Sequence, residues 1–179
     1  MSVALLIIDM QVGLFQGDMP RYDAGGVVRR INTVAQAIRG RGGHVIFIQH
    51  DGRPGESLEP ETAGWEILPT LERAAADSVI RKRACDAFYE TDLSGALERL
   101  GVGRLMIGGC ATDFCVDTTV RAAASRDYEV VVVADGHTTA DRPHLKAKTI
   151  IRHHNWMWGN LILPQRRVIV EPANIVTRH

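Results

Sequence analysis

The sequence predicts an α/β fold, an open parallel sheet with helices on both faces. Two observations carry this. Short, unbroken apolar runs rich in β-branched residues recur along the chain, and segments with apolar residues at three- and four-residue spacing lie between them. Runs apolar at every position suit strands covered on both sides, and strand–helix alternation builds βαβ units. No internal repeat, low-complexity tract or break in composition divides the 179 residues, so one domain over residues 1–179 is expected.

The first strand is expected at 3–8 (VALLII), ending at Asp9. A helix follows, because Val27, Val28, Ile31, Val34, Ala35 and Ile38 share one face, and Gly40, Gly42 and Gly43 stop it. Residues 45–48 (VIFI) are the second strand. Residues 49–71 hold Pro54, Pro60, Pro69, Gly52, Gly55 and Gly64 without periodicity, which reads as a long loop. Loops at the carboxyl ends of strands wall the clefts of open sheets, so this one is expected to wall a pocket. A weaker strand is expected at 78–80. Leu93, Ala96, Leu97 and Leu100 then repeat the helical spacing up to Gly101. Residues 105–107 (LMI) make a strand, 113–127 a helix, 130–134 (VVVVA) a strand, 145–158 a helix, and 168–170 a weaker last strand.

The charge balance is even, 21 Lys+Arg against 21 Asp+Glu, and no basic run exceeds the triplet Arg81-Lys82-Arg83. A nucleic-acid or anionic-membrane partner is therefore not expected. Three cysteines without a CxxC pair do not make a disulfide framework, and the first apolar run is too short to span a membrane. A reducing, cytoplasmic setting is the expectation.

Asp9 follows the first buried run, where a carboxylate enters the crevice of an α/β sheet or simply ends a strand. Lys82 follows the 78–80 run, and solvated rows of charge are the ordinary fate of such a triplet. The most informative segment is Gly108-Gly109-Cys110-Ala111-Thr112-Asp113-Phe114-Cys115, between a strand and a helix. Capping by Thr112 or Asp113 would put Cys115 in the first helical turn, where free N–H groups and the helix dipole favour a thiolate nucleophile. A buried, inert cysteine is the alternative.

Several motifs occur in a set order: Leu6-Ile7-Ile8-Asp9-Met10-Gln11; the Pro-rich loop with Gly64-Trp65-Glu66-Ile67; Val79-Ile80-Arg81-Lys82 with Ala87-Phe88; Thr91-Asp92-Leu93; Gly109-Cys110-Ala111-Thr112; and Cys115-Val116. In that order the chain resembles the isochorismatase-like cysteine hydrolases, which include nicotinamidases and N-carbamoylsarcosine amidohydrolase. The resemblance implies a three-layer α/β/α fold with a mostly parallel six-stranded sheet. It also implies a triad in which Asp9 is the general base, Lys82 the electrostatic partner and Cys115 the nucleophile. It implies a cis peptide between Cys110 and Ala111, with the N–H groups of Ala111 and Cys115 as oxyanion hole. The expected reaction is hydrolysis of a C–N bond in a small amide, carbamoyl or ureide substrate through a thioester. Relatives are usually oligomeric, so a homo-oligomer is expected.

Residues 49–54 lack the Asp-x-His spacing and second histidine of the nicotinamidase metal site, and no HExxH occurs, so neither metal nor cofactor is expected. Phe15, Trp65, Phe88, Phe114 and His137 are the candidate substrate-lining residues. Asp86 reads as a turn residue, and Asn155-Trp156-Met157-Trp158 suits either an interface or a core. Two other readings compete. One is a catalytically silent α/β binding module; the other is a thiol redox protein using Cys110 and Cys115, whose CxxxxC spacing differs from the thioredoxin CxxC.

Overall fold

A computed structural model describes residues 2–178. Six strands form one sheet: β1 (Ser2–Ile8), β2 (His44–His50), β3 (Ser78–Lys82), β4 (Val102–Cys110), β5 (Glu129–Thr138) and β6 (Ile169–Glu171). Their order is β3-β2-β1-β4-β5-β6, and every pairing is parallel. The order reverses between β1 and β4, which opens a crevice at their carboxyl ends.

Alternation along β1 explains the layers. Ala4, Leu6 and Ile8 join one core cluster, and Leu5 and Ile7 join the other. The first cluster is covered by α3 (Leu93–Arg99), α4 (Asp117–Ala124) and α5 (Ala147–Gly159), through Leu93, Leu97, Val120, Ala123 and Trp158. The second is covered by α2 (Ala24–Gly40) and the single turn α6 (Ala173–Val176). Full burial of each Leu or Ile contributes about 1.5–3 kcal/mol, so the two clusters dominate the stability of the sheet.

Three expectations change. The strands at 105–107 and 130–134 are longer than their apolar runs, because β4 and β5 keep pairing through Gly109↔His137 and Cys110↔Thr138. The helix expected at 113–127 begins as a π-helical turn, Thr112–Val116, and only then becomes α4. A short helix, α1 (Val12–Phe15), lies just beyond Asp9; one turn is too short to leave a periodic signal. Of the loop expected at 49–71, Gln49 and His50 still belong to β2; residues 51–71 contain neither helix nor strand, apart from a bridge of Ile67 to Gln11. No helix among the described residues is long and apolar enough to cross a membrane.

Candidate active site

Three strand ends converge. Asp9 directly follows β1 in a left-handed conformation (φ 46°), its N–H donating to the Ile48 carbonyl at 2.9 Å. Lys82 is the last residue of β3, paired in register with His50 of β2. Period-2 alternation puts Lys82 on the face of Ile80, which packs against the α3/α4 cluster. Cys115 stands in the π turn after β4 on that same side. The Lys82 side chain is 0% exposed and that of Asp9 2%, so Lys82 is not part of a solvated charge row.

Lys82 Nζ donates to Asp9 Oδ2 at 2.7 Å, to the Ala84 carbonyl at 2.9 Å and to Cys115 Sγ at 3.3 Å, and lies 3.3 Å from His50 Nδ1. Asp9 Oδ1 is buried without a hydrogen-bond partner among the described residues. A lone pair left free in this way is a ready acceptor for a proton. Burial opposes the Lys82 charge, but Asp9 and Cys115 outweigh it and hold the ammonium above its ordinary pKa. Burial, then the Asp9 charge, push the Cys115 thiol up, and Lys82 opposes them less strongly. Desolvation and a neighbouring carboxylate thus act against the helix terminus, which favours the thiolate.

The Cys110–Ala111 peptide is cis. The Ala111 N–H has no hydrogen-bond partner among the described residues. The turn before it needs glycine at Gly109, whose φ is +127° and whose missing Cβ would lie 2.2 Å from the Ile8 carbonyl oxygen. Neither Thr112 nor Asp113 caps a helix, contrary to expectation. Asp113 is drawn away by Arg142 (2.8 Å) and Thr139 (2.6 Å). Thr112 Oγ1 instead meets His137 Nδ1 at 2.9 Å, while His137 Nε2 meets Asn155 Oδ1 at 2.9 Å. Asn155 donates its amide to the Ala134 carbonyl, which leaves Oδ1 to accept, so His137 carries its proton on Nε2 and accepts from Thr112 at Nδ1.

The five candidate lining residues are dispersed. Phe88 is 6% exposed and stacks on Tyr128, so it belongs to the core. Phe15 packs against the α2-side cluster. His137 is buried beneath the π turn and lines a separate cavity of about 690 Å³ with Arg30 and Asn155. The Trp65 indole N–H donates to Asp51 Oδ1 at 2.9 Å, and the Arg81 guanidinium lies over its ring. Phe114 is 53% exposed, next to Cys115 in the chain. A cavity of about 400 Å³ reaches Lys82 past Arg83, Tyr89 and Glu90.

Cys110 is fully buried, and burial pushes its thiol up to about 12, which removes it from thiol chemistry near neutrality. Cys85 is exposed. Asp86 accepts from the Phe88 N–H at 2.8 Å, as a turn residue does. Trp158 is a core residue and Trp156 an exposed one. No cluster of three or more metal-ligating side chains occurs among the described residues. The sequence reading missed His50 and the role of Gln11, whose side chain clamps the His50 backbone. Polar residues beside an apolar strand carry no periodic signal, so nothing in the sequence alone singles them out.

The isochorismatase domain model matches residues 3–158. A streptothricin hydrolase of Streptomyces noursei is 35% identical over 140 residues, covering 78% of this chain and 56% of that protein. A second from the same organism is 34% identical, with 51% of its length covered, so the chain spans about half the length of these relatives. The ureidoacrylate amidohydrolase of Methylorubrum extorquens is 26% identical over 181 residues, 81% of this chain and 73% of that one. A crystal structure of an isochorismatase family protein superposes with a TM-score of 0.85 at 32% identity, covering 94% of this chain and 96% of the other. With a match of that kind over most of its length, the chain belongs to the isochorismatase family.

Proposed function

We propose that the protein is a cysteine hydrolase cleaving a C–N bond of a small amide, carbamoyl or ureide substrate through a thioester. The observation that carries this reading is the single ammonium, Lys82, between the Asp9 carboxylate (2.7 Å) and the Cys115 sulfur (3.3 Å). Asp9 Oδ1, without a partner, takes the thiol proton as Cys115 Sγ bonds to the substrate carbonyl carbon. Lys82 stabilises the sulfur while it is anionic. The N–H groups of Ala111 and Cys115 receive the developing oxyanion. Asp9 returns the proton to the nitrogen as the C–N bond breaks, releasing ammonia or an amine and leaving a thioester. Asp9 then deprotonates water, which adds to the thioester carbonyl carbon; the C–S bond breaks, the acid product leaves, and Asp9 returns the proton to the sulfur to restore the thiol. Family membership and relatives named as a streptothricin hydrolase and a ureidoacrylate amidohydrolase support hydrolysis of this class.

The test is an ammonia-release screen over small amides, carbamoyl compounds and ureides, with Cys115→Ala as the blank. Turnover in the parent and none in the variant is expected. Turnover that survives in Cys115→Ala would exclude the covalent route.

A further inference from the structure

The Lys82 ammonium has three N–H bonds and faces four acceptors. Asp9 Oδ2 at 2.7 Å and the Ala84 carbonyl at 2.9 Å take two of them. Cys115 Sγ and His50 Nδ1, each 3.3 Å away, compete for the third. His50 is held in place for this contact. Its N–H donates to Gln11 Oε1 at 2.8 Å, and its carbonyl accepts from Gln11 Nε2 at 3.0 Å. Gln11 is itself fully buried, and its amide also donates to the Trp65 carbonyl at 2.8 Å. Facing an ammonium, Nδ1 must accept, which puts the ring hydrogen on Nε2.

We propose that His50 is a positioning residue for the hydrolysis proposed above, a second acceptor that holds the third Lys82 N–H whenever the Cys115 sulfur is a poor one. Through a turnover the sulfur passes from thiol to thiolate to thioester and back. A thiolate is a strong acceptor; a thiol and a thioester sulfur are weak ones. The third N–H turns to the sulfur as the thiolate forms and returns to His50 on acylation. Lys82 thus keeps every donor satisfied although its side chain is 0% exposed. The imidazole accepts only while neutral. Burial and then Lys82 keep its pKa below the ordinary value, against the pull of Asp9 after β1 and of Asp51 and Glu56 in its own loop.

Two substitutions separate acceptor from bulk. His50→Leu removes the acceptor, and His50→Asn restores one near the position of Nδ1. Iodoacetamide labelling of Cys115 is followed by mass spectrometry against pH, with exposed Cys85 as the reference within the same molecule. Without a competitor, the third N–H stays on the sulfur and favours the thiolate. His50→Leu is expected to label Cys115 about two- to tenfold faster at neutral pH, the worth of one hydrogen bond. His50→Asn is expected to return to the parent profile. With a substrate, kcat falls in the Leu variant more than KM changes, and Asn restores it. Unchanged labelling in His50→Leu overturns the proposal, as does a shift that Asn fails to reverse. Labelling needs no substrate, so absence of amide turnover in the parent counts against the hydrolase reading separately.

Discussion

Lys82 Nζ and Asp9 Oδ2 are 2.7 Å apart across 73 residues of sequence, with side chains 0% and 2% exposed. Removing one member of such a pair strands the other charge away from water, at a cost of about 3–5 kcal/mol. Lys82→Met is expected to lose about that much unfolding free energy in a urea titration. Asp9→Asn combined with Lys82→Met should recover part of the loss. If Lys82→Met unfolds at the parent's denaturant midpoint, the pair does not hold the strand ends together.

Turnover and thiol reactivity should separate in opposite directions at Asp9. Its charge raises the Cys115 pKa, second only to burial, and Lys82 lowers it. Asp9→Asn is therefore expected to speed alkylation of Cys115 at neutral pH while abolishing hydrolysis, because the base is gone and the sulfur is more acidic. Lys82→Met should slow alkylation. Cys110 should stay unlabelled in every folded variant, its thiol being fully buried with a pKa near 12. An Asp9→Asn protein that alkylates more slowly than the parent contradicts this electrostatic assignment.

Acid stability should depend on His137. Burial lowers its pKa to about 4 in the folded protein, with the Asn155 hydrogen bond pulling the other way. The unfolded chain titrates at about 6.5. Between these values the unfolded chain binds a proton that the folded protein does not, so stability falls as pH drops from about 6.5 to about 4. The full effect of this group is about 3 kcal/mol. Chemical denaturation at pH 7 and pH 4.5 should show a smaller difference in His137→Asn than in the parent. An equal difference in both would assign the acid sensitivity to other groups.

Gly109→Ala tests the turn that leads into the π-helical segment. An added methyl would meet the Ile8 carbonyl oxygen at 2.2 Å, in a backbone conformation (φ +127°) that L-residues rarely adopt. Backbone strain and the clash together should cost about 3 kcal/mol or more. A thermal melt is expected to show a clear drop, whereas Gly42→Ala, with no atom within 4 Å, carries only the cost of its positive φ. Comparable melting of the two variants would mean that the close approach of β4 to β1 can relax.

Much of this protein was legible in the sequence, for a local reason. A strand covered on both faces must be apolar at each position and a surface helix at every third or fourth, so 3–8, 45–48 and 130–134 announced strands and Val27 to Ile38 a helix. The order of short motifs was enough to nominate Asp9, Lys82 and Cys115, which the fold brings into contact. The tertiary structure alone decided what depends on desolvation and on neighbours distant in the chain. It made Phe88 a core residue, placed the Lys82 side chain out of reach of solvent, pushed the Cys115 thiol pKa up and set His50 against the ammonium. Periodicity records which face of an element is buried; a proton's position depends on the sum of charges and lost hydration at one point, and those come from four separate strand ends.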